Sequence, residues 1–376
     1  MLKFKHHMSF DNKFLTKQRG FSLVELMIGL VIGLIATLVI VNVFTAFEQQ
    51  KRATTGSSDA QTNGAIALFN LQRDAQAAGY GLPVYDTEFT PFRCGTENDS
   101  VVANRTTFNH DNDAATPEIG LSPIVIVDGG LNGSDQVAIR SGNSARGGVS
   151  MQFFNAPTDT ADVDTNLGCA VNDVALIVSS ANNSTCRMAR VTVAVAGGNT
   201  ITFNPAVAGI PSGGKIACLG RWNEFRYTVV NNELTRSGAL VAGVPSATAL
   251  PIVSDIVGIQ AQYGISNIPG NNLVTQWVNA TGAWANINNV DARNQIKAVR
   301  VAFIARNGLL EAANVTATCS SLTAANPTGL CAWAGSAASP APAINLTADA
   351  NWRRYRYRVY ETIIPIKNII WSWGAL

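Results

Sequence analysis

Histidine is nearly missing from this 376-residue chain: there are 3, and His6 and His7 sit in a basic N-terminal stretch. Only His110 is left in the body of the sequence, which excludes His-rich metal sites and most His-dependent catalysis. Charge is scarce as well. Lys, Arg, Asp and Glu make up 14 % of the residues, against roughly 25 % in an average soluble domain. The formal net charge is +2. That balance excludes nucleic-acid binding by bulk charge and an acidic or basic disordered tail. No CxxC occurs, so zinc ribbons and thioredoxin-like redox pairs are unsupported. GxSxG and HExxH are missing too.

What the chain does have is apolar material: 47 % of its residues are hydrophobic, ample for a core in one large domain or two ordinary ones. Its 6 cysteines are Cys94, Cys169, Cys186, Cys218, Cys319 and Cys331. An even count at wide spacing fits structural disulfides in an oxidising compartment. Cys319–Cys331 and Cys169–Cys186 would close short loops and are the first expected pairs, which leaves Cys94–Cys218.

The N-terminal region is the most informative. Residues 1–20 carry Lys3, Lys5, Lys13, Lys17 and Arg19 against a single Asp11. Phe21-Ser22-Leu23-Val24-Glu25 follows, and then an uncharged run from Leu26 to Phe47. At about 1.5 Å per residue the run spans about 33 Å, the thickness of a bilayer core. Basic residues ahead of it place the N-terminus in the cytoplasm and the rest outside. The run passes into Glu48-Gln49-Gln50-Lys51-Arg52 without a small-x-small cleavage site, so it is expected to stay as a helix. Glu25 is out of place there, because a carboxylate at the head of an apolar helix is costly unless paired. A cut between Gly20 and Phe21 would create an ammonium at Phe21, able to neutralise Glu25 of a neighbouring subunit. The plainer alternative is a signal anchor with Glu25 at headgroup level.

Lys17-Gln18-Arg19-Gly20-Phe21-Ser22-Leu23-Val24-Glu25-Leu26 resembles the cleavage and methylation motif of type IV pilins and type II secretion pseudopilins. The resemblance implies cleavage after Gly20 by prepilin peptidase and N-methylation of Phe21. The leader is longer than the shortest in the family, and a start at Met8 would shorten it. Removing it takes five Lys/Arg and one Asp, which leaves 22 basic against 24 acidic side chains. Leu68–Tyr80, Ile256–Gly264 and Arg353–Asn368 resemble segments of the PilW family of minor pilins, with Lys367 where an Arg before the Asn is more usual. Residues 84–220 carry no such pattern.

Gly29 and Gly33 form a GxxxG pair suited to close helix packing. Gly56-Ser57-Ser58 interrupts the pattern and is expected to loosen the helix. From Asp59 to Ala78 helical spacing resumes, with Ala67, Leu71, Ala75 and Ala78 on one face, until Gly79-Tyr80-Gly81-Leu82-Pro83 stops it. Beyond Pro83 short β-prone runs alternate with turn clusters: Ile124–Val127, Gln136–Arg140, Val174–Val178, Arg187–Val195, Arg221–Val230, Ile252–Ile265, Ile296–Ala305 and Trp352–Ile364. Asn231-Asn232 reads as a tight hairpin turn. In the last run Tyr355, Tyr357 and Val359 should face one way and Arg354, Arg356 and Arg358 the other. The expectation is an α+β chain, with a long N-terminal helix packed on an antiparallel β-sheet domain with inserted loops. Its parts would be a leader (1–20), a membrane or filament-core helix (21–47), an amphipathic continuation (48–82) and a β-rich exported domain (83–376).

Other motifs point less far. Gly209–Lys215 has Walker A spacing, but Ile216 stands where a Mg²⁺-binding hydroxyl is needed, so a Gly-rich turn is preferred. Asp162, Asp164 and Asn166, with Asp173 further on, echo a calcium loop, though Leu167 replaces its glycine. Calcium is therefore the single cofactor considered. His110 among Asn109, Asp111 and Asp113 reads as a polar loop. The Arg354/Arg356/Arg358 row with Tyr355 and Tyr357 could stack and pair with single-stranded DNA, but an edge strand with one charged face is the simpler reading. Trp371 and Trp373 are candidates for a partner contact or a core cap.

The resemblance implies a non-enzymatic minor pilin. Anchored in the inner membrane, it would help prime type IV pilus assembly and pass into the pilus at the cell surface, near the tip. Its partners would be other minor pilins, the major pilin, prepilin peptidase and, further out, a tip adhesin. A type II secretion pseudopilin and a membrane-anchored binding protein for DNA or calcium are the alternatives.

Overall fold

The computed structural model describes residues 20–83, 122–130, 133–146, 148–179, 186–204, 206–207, 209–238, 240–241, 244–245, 249–268, 271–285, 295–319, 329–335 and 341–370. The chain divides into two units, residues 1–54 and 55–376. Cys94, His110, Trp371 and Trp373, and all of the leader but Gly20, lie outside the described residues.

One helix, α1 (Leu23–Gln76), runs unbroken through both units. Gly56 does not loosen it. In the first unit its large apolar side chains, from Leu23 to Phe47, are all exposed. The few hydroxyls of that stretch turn inward on their own helix. Thr37 Oγ1 donates to the carbonyls of Gly33 (3.0 Å) and Leu34 (2.9 Å), and Thr45 Oγ1 to that of Asn42 (2.9 Å). Such internal bonds remove the cost of a polar group in a hydrocarbon solvent.

In the second unit the same helix has an inner face. Gly56, Ala60, Gly64, Ala67, Leu71, Asp74 and Ala75 are buried, and they recur every three or four residues, as one face of a 3.6-residue period requires. The small residues set the distance of approach. A Cβ on Gly56 would overlap the Asn307 carboxamide, and one on Gly64 would overlap the Tyr360 ring. This close approach explains the glycine that the sequence alone suggested was a break. The helix stops where Gly79 (φ 76°) and Gly81 (φ 90°) take left-handed backbone, which glycine adopts without a Cβ penalty.

The strands that cover this face form an antiparallel α+β domain. One sheet runs β1 (Ile124–Val127), β2 (Gln136–Ser141), β9 (Asn223–Val230), β10 (Glu233–Ser237), β13 (Leu250–Ser254). A second runs β15 (Gln276–Val278), β14 (Ile256–Ile265), β16 (Ile296–Arg306), β19 (Tyr357–Pro365). A third takes its six strands from one stretch, in the order β3 (Ser150–Gln152), β8 (Lys215–Cys218), β5 (Val174–Val178), β6 (Cys186–Ala194), β7 (Thr200–Asn204), β4 (Thr160–Asp162). Two-stranded pairs β11 (Leu240–Val241) with β12 (Val244–Pro245) and β17 (Gly329–Cys331) with β18 (Ala343–Asn345) complete the set. A short helix, α2 (Lys367–Ile370), follows β19.

Several expected strands change at their ends. Asn231 (φ 51°) and Asn232 (φ 63°) form the β9–β10 turn as expected. The run Ile252–Ile265 is two strands, because Asp255 adopts φ 57° and separates β13 from β14. Trp352–Arg354 is a 3₁₀ turn, and β19 begins only at Tyr357. The alternating row that would have included Arg354 and Tyr355 is therefore not one strand face. Gly209–Gly214 is the turn expected there, leading into β8.

Strand alternation divides the core. Val299, Val301, Phe303 and Ala305 of β16 pack with the helix stripe, β14 and β9. Ala302 and Ile304 face the other way, against Trp333, Ile344 and Trp352. β5 is buried on both sides: Val174, Leu176 and Val178 join the main core, while Ala175 and Ile177 join a second core inside the six-stranded sheet. β14 is tied to the loop before β2. Asp135, 3 % exposed, accepts the backbone N–H of Gly129 (2.9 Å) and of Ala261 (2.7 Å). Burial pushes its carboxyl up to about 6, against the pull of those two bonds and with help from Asp128.

Two predictions follow from this packing. On an open helix Gly→Ala is stabilising by roughly 1 kcal/mol; Gly64→Ala should instead destabilise by about 1–3 kcal/mol, the cost of overpacking, read from urea unfolding of the detergent-solubilised chain. Asp135, normally near 4 when unfolded, binds its proton more tightly in the folded state. Its contribution is complete below about pH 4 and is lost as pH rises through about 6, a change of about 3 kcal/mol at 1.36 kcal/mol per pKa unit. Subtracting the pH profile of Asp135→Asn from that of the native chain should leave a stability difference that falls from pH 4 to 7.

Candidate functional site

The first turn of α1 sets the geometry of the N-terminal motif. Gly20 and Phe21 precede the helix and are exposed, Phe21 to 83 %. The first helical bond runs from Leu26 N to the Ser22 carbonyl at 3.1 Å. Ser22 is therefore the N-cap residue and Glu25 the third helical position. Ser-x-x-Glu is the capping-box pattern, a signal present in the sequence beside the more conspicuous motif. A negative side chain in the first turn also complements the helix dipole, and Glu25 is exposed. Gly29 and Gly33 lie on one face a turn apart, with nothing within 4 Å of a Cβ on either. That face stands open to another helix.

At the far end, α1 is locked to the sheets through a group that sequence reasoning left among the polar residues. Asp74 is 8 % exposed and sits on the inner face. Its Oδ2 accepts the Tyr227 hydroxyl at 2.6 Å and Arg236 Nε at 2.7 Å, and Arg73 Nε lies 3.3 Å from Oδ1. Tyr227 is in β9 and Arg236 in β10, directly opposite each other. Arg236 also stacks 3.8 Å over the Phe225 ring. Burial, followed by the bond to the Asp74 carboxylate and its charge, holds the Tyr227 phenol well above its usual range. The hairpin therefore brings the helix carboxylate one charge partner, Arg236, and one neutral donor, Tyr227, while Arg73 of the helix supplies the other charge, so the buried ion is paired and hydrogen-bonded. Asn368 adds a second tie, Nδ2 donating to the Ala78 carbonyl at 2.9 Å. The legible signal was spacing: Asp74 lies a helical turn from Leu71 and Ala78, on their face.

Two arginines of the row are tied to Glu311, and the third reaches helix α1. Arg354 Nε donates to the Glu311 carbonyl (2.7 Å) and Arg356 Nε to the Glu311 carboxylate (2.8 Å). Arg358 reaches Ser57 Oγ at 3.4 Å.

The calcium candidates are placed as follows. Asp162 lies in β4, with its N–H bonded to Asn155 Oδ1. Asp164 is exposed. Asn166 is buried, and its amide organises the following loop: Nδ2 donates to the carbonyls of Cys169 and Val195, and Oδ1 accepts the N–H groups of Gly168 and Cys169. Asp173 Oδ2 accepts the Ala170 N–H at 2.8 Å. Among the described residues no group of three or more His, Cys, Asp and Glu is placed to hold a metal.

Cys319 pairs with Cys331 as expected. Cys169 pairs with Cys218, not with Cys186, so both other expected pairs, Cys169–Cys186 and Cys94–Cys218, are corrected. The reason is register. Cys218 lies opposite Ala175 at the start of β5, close to the loop that carries Cys169. Cys186 lies opposite Val178, at the other end of β5.

Two family matches bear on what this arrangement does. Residues 15–41 match the prokaryotic N-terminal methylation motif, and residues 226–368 match type IV pilus-assembly protein W, PilW. The second segment is similar to the PilW family, and together the two matches are consistent with a type IV minor pilin. The PilW segment runs from β9 through β19 to α2 and includes Tyr227, Arg236 and Asn368, the residues that hold the helix. Leu68–Tyr80, part of the resemblance read from sequence, lies outside both matched segments. No curated protein and no solved structure matches the chain. PilW is a structural pilin family, not an enzyme family. Among the described residues one helix, α1, is long and apolar enough to cross a membrane. With the methylation motif it fits an inner-membrane-anchored minor pilin that is later incorporated into the pilus.

Asn166→Ala should lower stability by about 2 kcal/mol, the cost of orphaning buried backbone groups, and by the same amount in calcium as in chelator. A loss seen only in calcium would support the ion-binding reading of this loop.

Proposed function

We propose that the protein is a minor pilin that helps prime type IV pilus assembly and is then incorporated near the tip, acting through helix packing and subunit contacts. The observation that carries this reading is the uncovered apolar length of α1, with one carboxylate in its first turn. In a lipid bilayer that surface is solvated by acyl chains. In a filament it is solvated by the helices of other subunits, and the two environments are nearly equivalent for apolar side chains. The carboxylate separates them.

Prepilin peptidase cuts after Gly20 and frees the Phe21 amine, which is then methylated. The ammonium of an incoming subunit meets Glu25 of its neighbour, and the Gly29/Gly33 face lets the two backbones approach. Other minor pilins and the major pilin are the partners of the helix; the β domain contacts other minor pilins and a tip adhesin. The methylation-motif match over 15–41 supports the processing step, and the PilW match supports the choice of a pilus over a secretion machine.

Glu25→Ala should leave leader cleavage intact and reduce incorporation into sheared surface fibres by roughly a hundredfold, the factor that corresponds to about 3 kcal/mol for a buried charge left alone. Glu25→Gln should behave alike, since charge and not shape is removed. N-terminal sequencing of fibre-borne protein should begin at methylated Phe21. Normal incorporation of both variants would overturn the mechanism.

A further inference from the structure

Where α1 passes the ends of β16 and β19, an open groove of about 310 Å³ is lined by Ser57, Asn307, Thr316, Arg356 and Arg358, with Tyr357 at its side. Its polar wall is rich in donors, and no carboxylate lines it. Arg356 shares its charge with Glu311, which lies outside the groove. Arg358 has no carboxylate within ion-pair distance among the described residues, and its guanidinium donates to the Ser57 hydroxyl at 3.4 Å. Asn307 is 1 % exposed. Its Oδ1 accepts the Leu309 N–H at 2.9 Å, while Nδ2 is buried with no hydrogen-bond partner. A buried amide donor without an acceptor costs free energy that an acceptor would recover.

Two guanidinium groups, the Ser57 hydroxyl and an orphaned amide line one groove without an acid among them. A fork of N–H donors is the geometry that recognises a planar or tetrahedral oxyanion. We propose that this groove binds an oxyanion group, carboxylate or phosphate, with Arg358 as its principal charge partner and Ser57 and Asn307 as hydrogen-bonding groups. The ligand is bound by chemistry rather than by the helix-packing surface, so the site stands whether or not the chain enters a filament.

The test uses the full-length chain in detergent, with inorganic phosphate in one arm and glutarate in the other, each against sodium chloride at equal ionic strength. Saturating ligand should raise the melting midpoint by about 2–4 °C in at least one arm. Phosphate alone would identify a phosphate-bearing ligand. Glutarate alone would identify a carboxylate, whether free or on an acidic side chain, and response to both a general oxyanion site. Arg358→Gln, an exposed position that should leave the fold intact, should abolish the shift, and Ser57→Ala should weaken it. No shift in either arm, or an undiminished shift in Arg358→Gln, overturns the assignment.

Discussion

A row of exposed apolar side chains dominates this protein. From Leu23 to Phe47 the helix offers its surface to whatever surrounds it, and water is the one solvent that surface does not tolerate. The same helix, beyond Thr54, turns a narrow stripe of glycine and alanine to a sheet and is fixed there. One element thus does two jobs with two compositions. Large side chains all round suit a fluid or oligomeric apolar medium, while small ones on a single side suit contact with a preformed wall.

The wall holds the helix by charge as much as by packing. Asp74 would be costly to bury alone, but the β9–β10 hairpin brings a phenol and a guanidinium to it. Those two residues, and Asn368, all belong to the segment that matches PilW. The matched segment thus supplies these side-chain ties to the helix. The six-stranded sheet between Ser150 and Cys218 lies outside both matched segments and carries its own core.

The helix, its stop at Gly79, the Asn231-Asn232 turn and strands such as Ile124–Val127 could be read from sequence because each is a local pattern. What could not be read depended on partners distant in the chain. Gly56 looked like a break until Asn307 was found packed against it. Asp74 finds Tyr227 and Arg236 only across 153 and 162 residues of chain. Cys169 was assigned to its near neighbour in sequence, whereas the order of β5, β6 and β8 carries Cys218 to it. Strands of three residues, such as β3 and β4, show no alternation long enough to detect. In the N-terminal motif the processing signal and Glu25 were legible, and the hydrogen bond that starts the helix fixes Ser22 as its N-cap position.

The third sheet has one more implication. All six of its strands come from one uninterrupted stretch of chain, and the Cys169–Cys218 bond fastens that stretch to itself. Such a part behaves as a cassette. Evolution can rewrite its outer side, and so the surface the molecule shows the world, at little expense to the scaffold beneath, provided that Val174, Leu176 and Val178 stay greasy where they meet the main body.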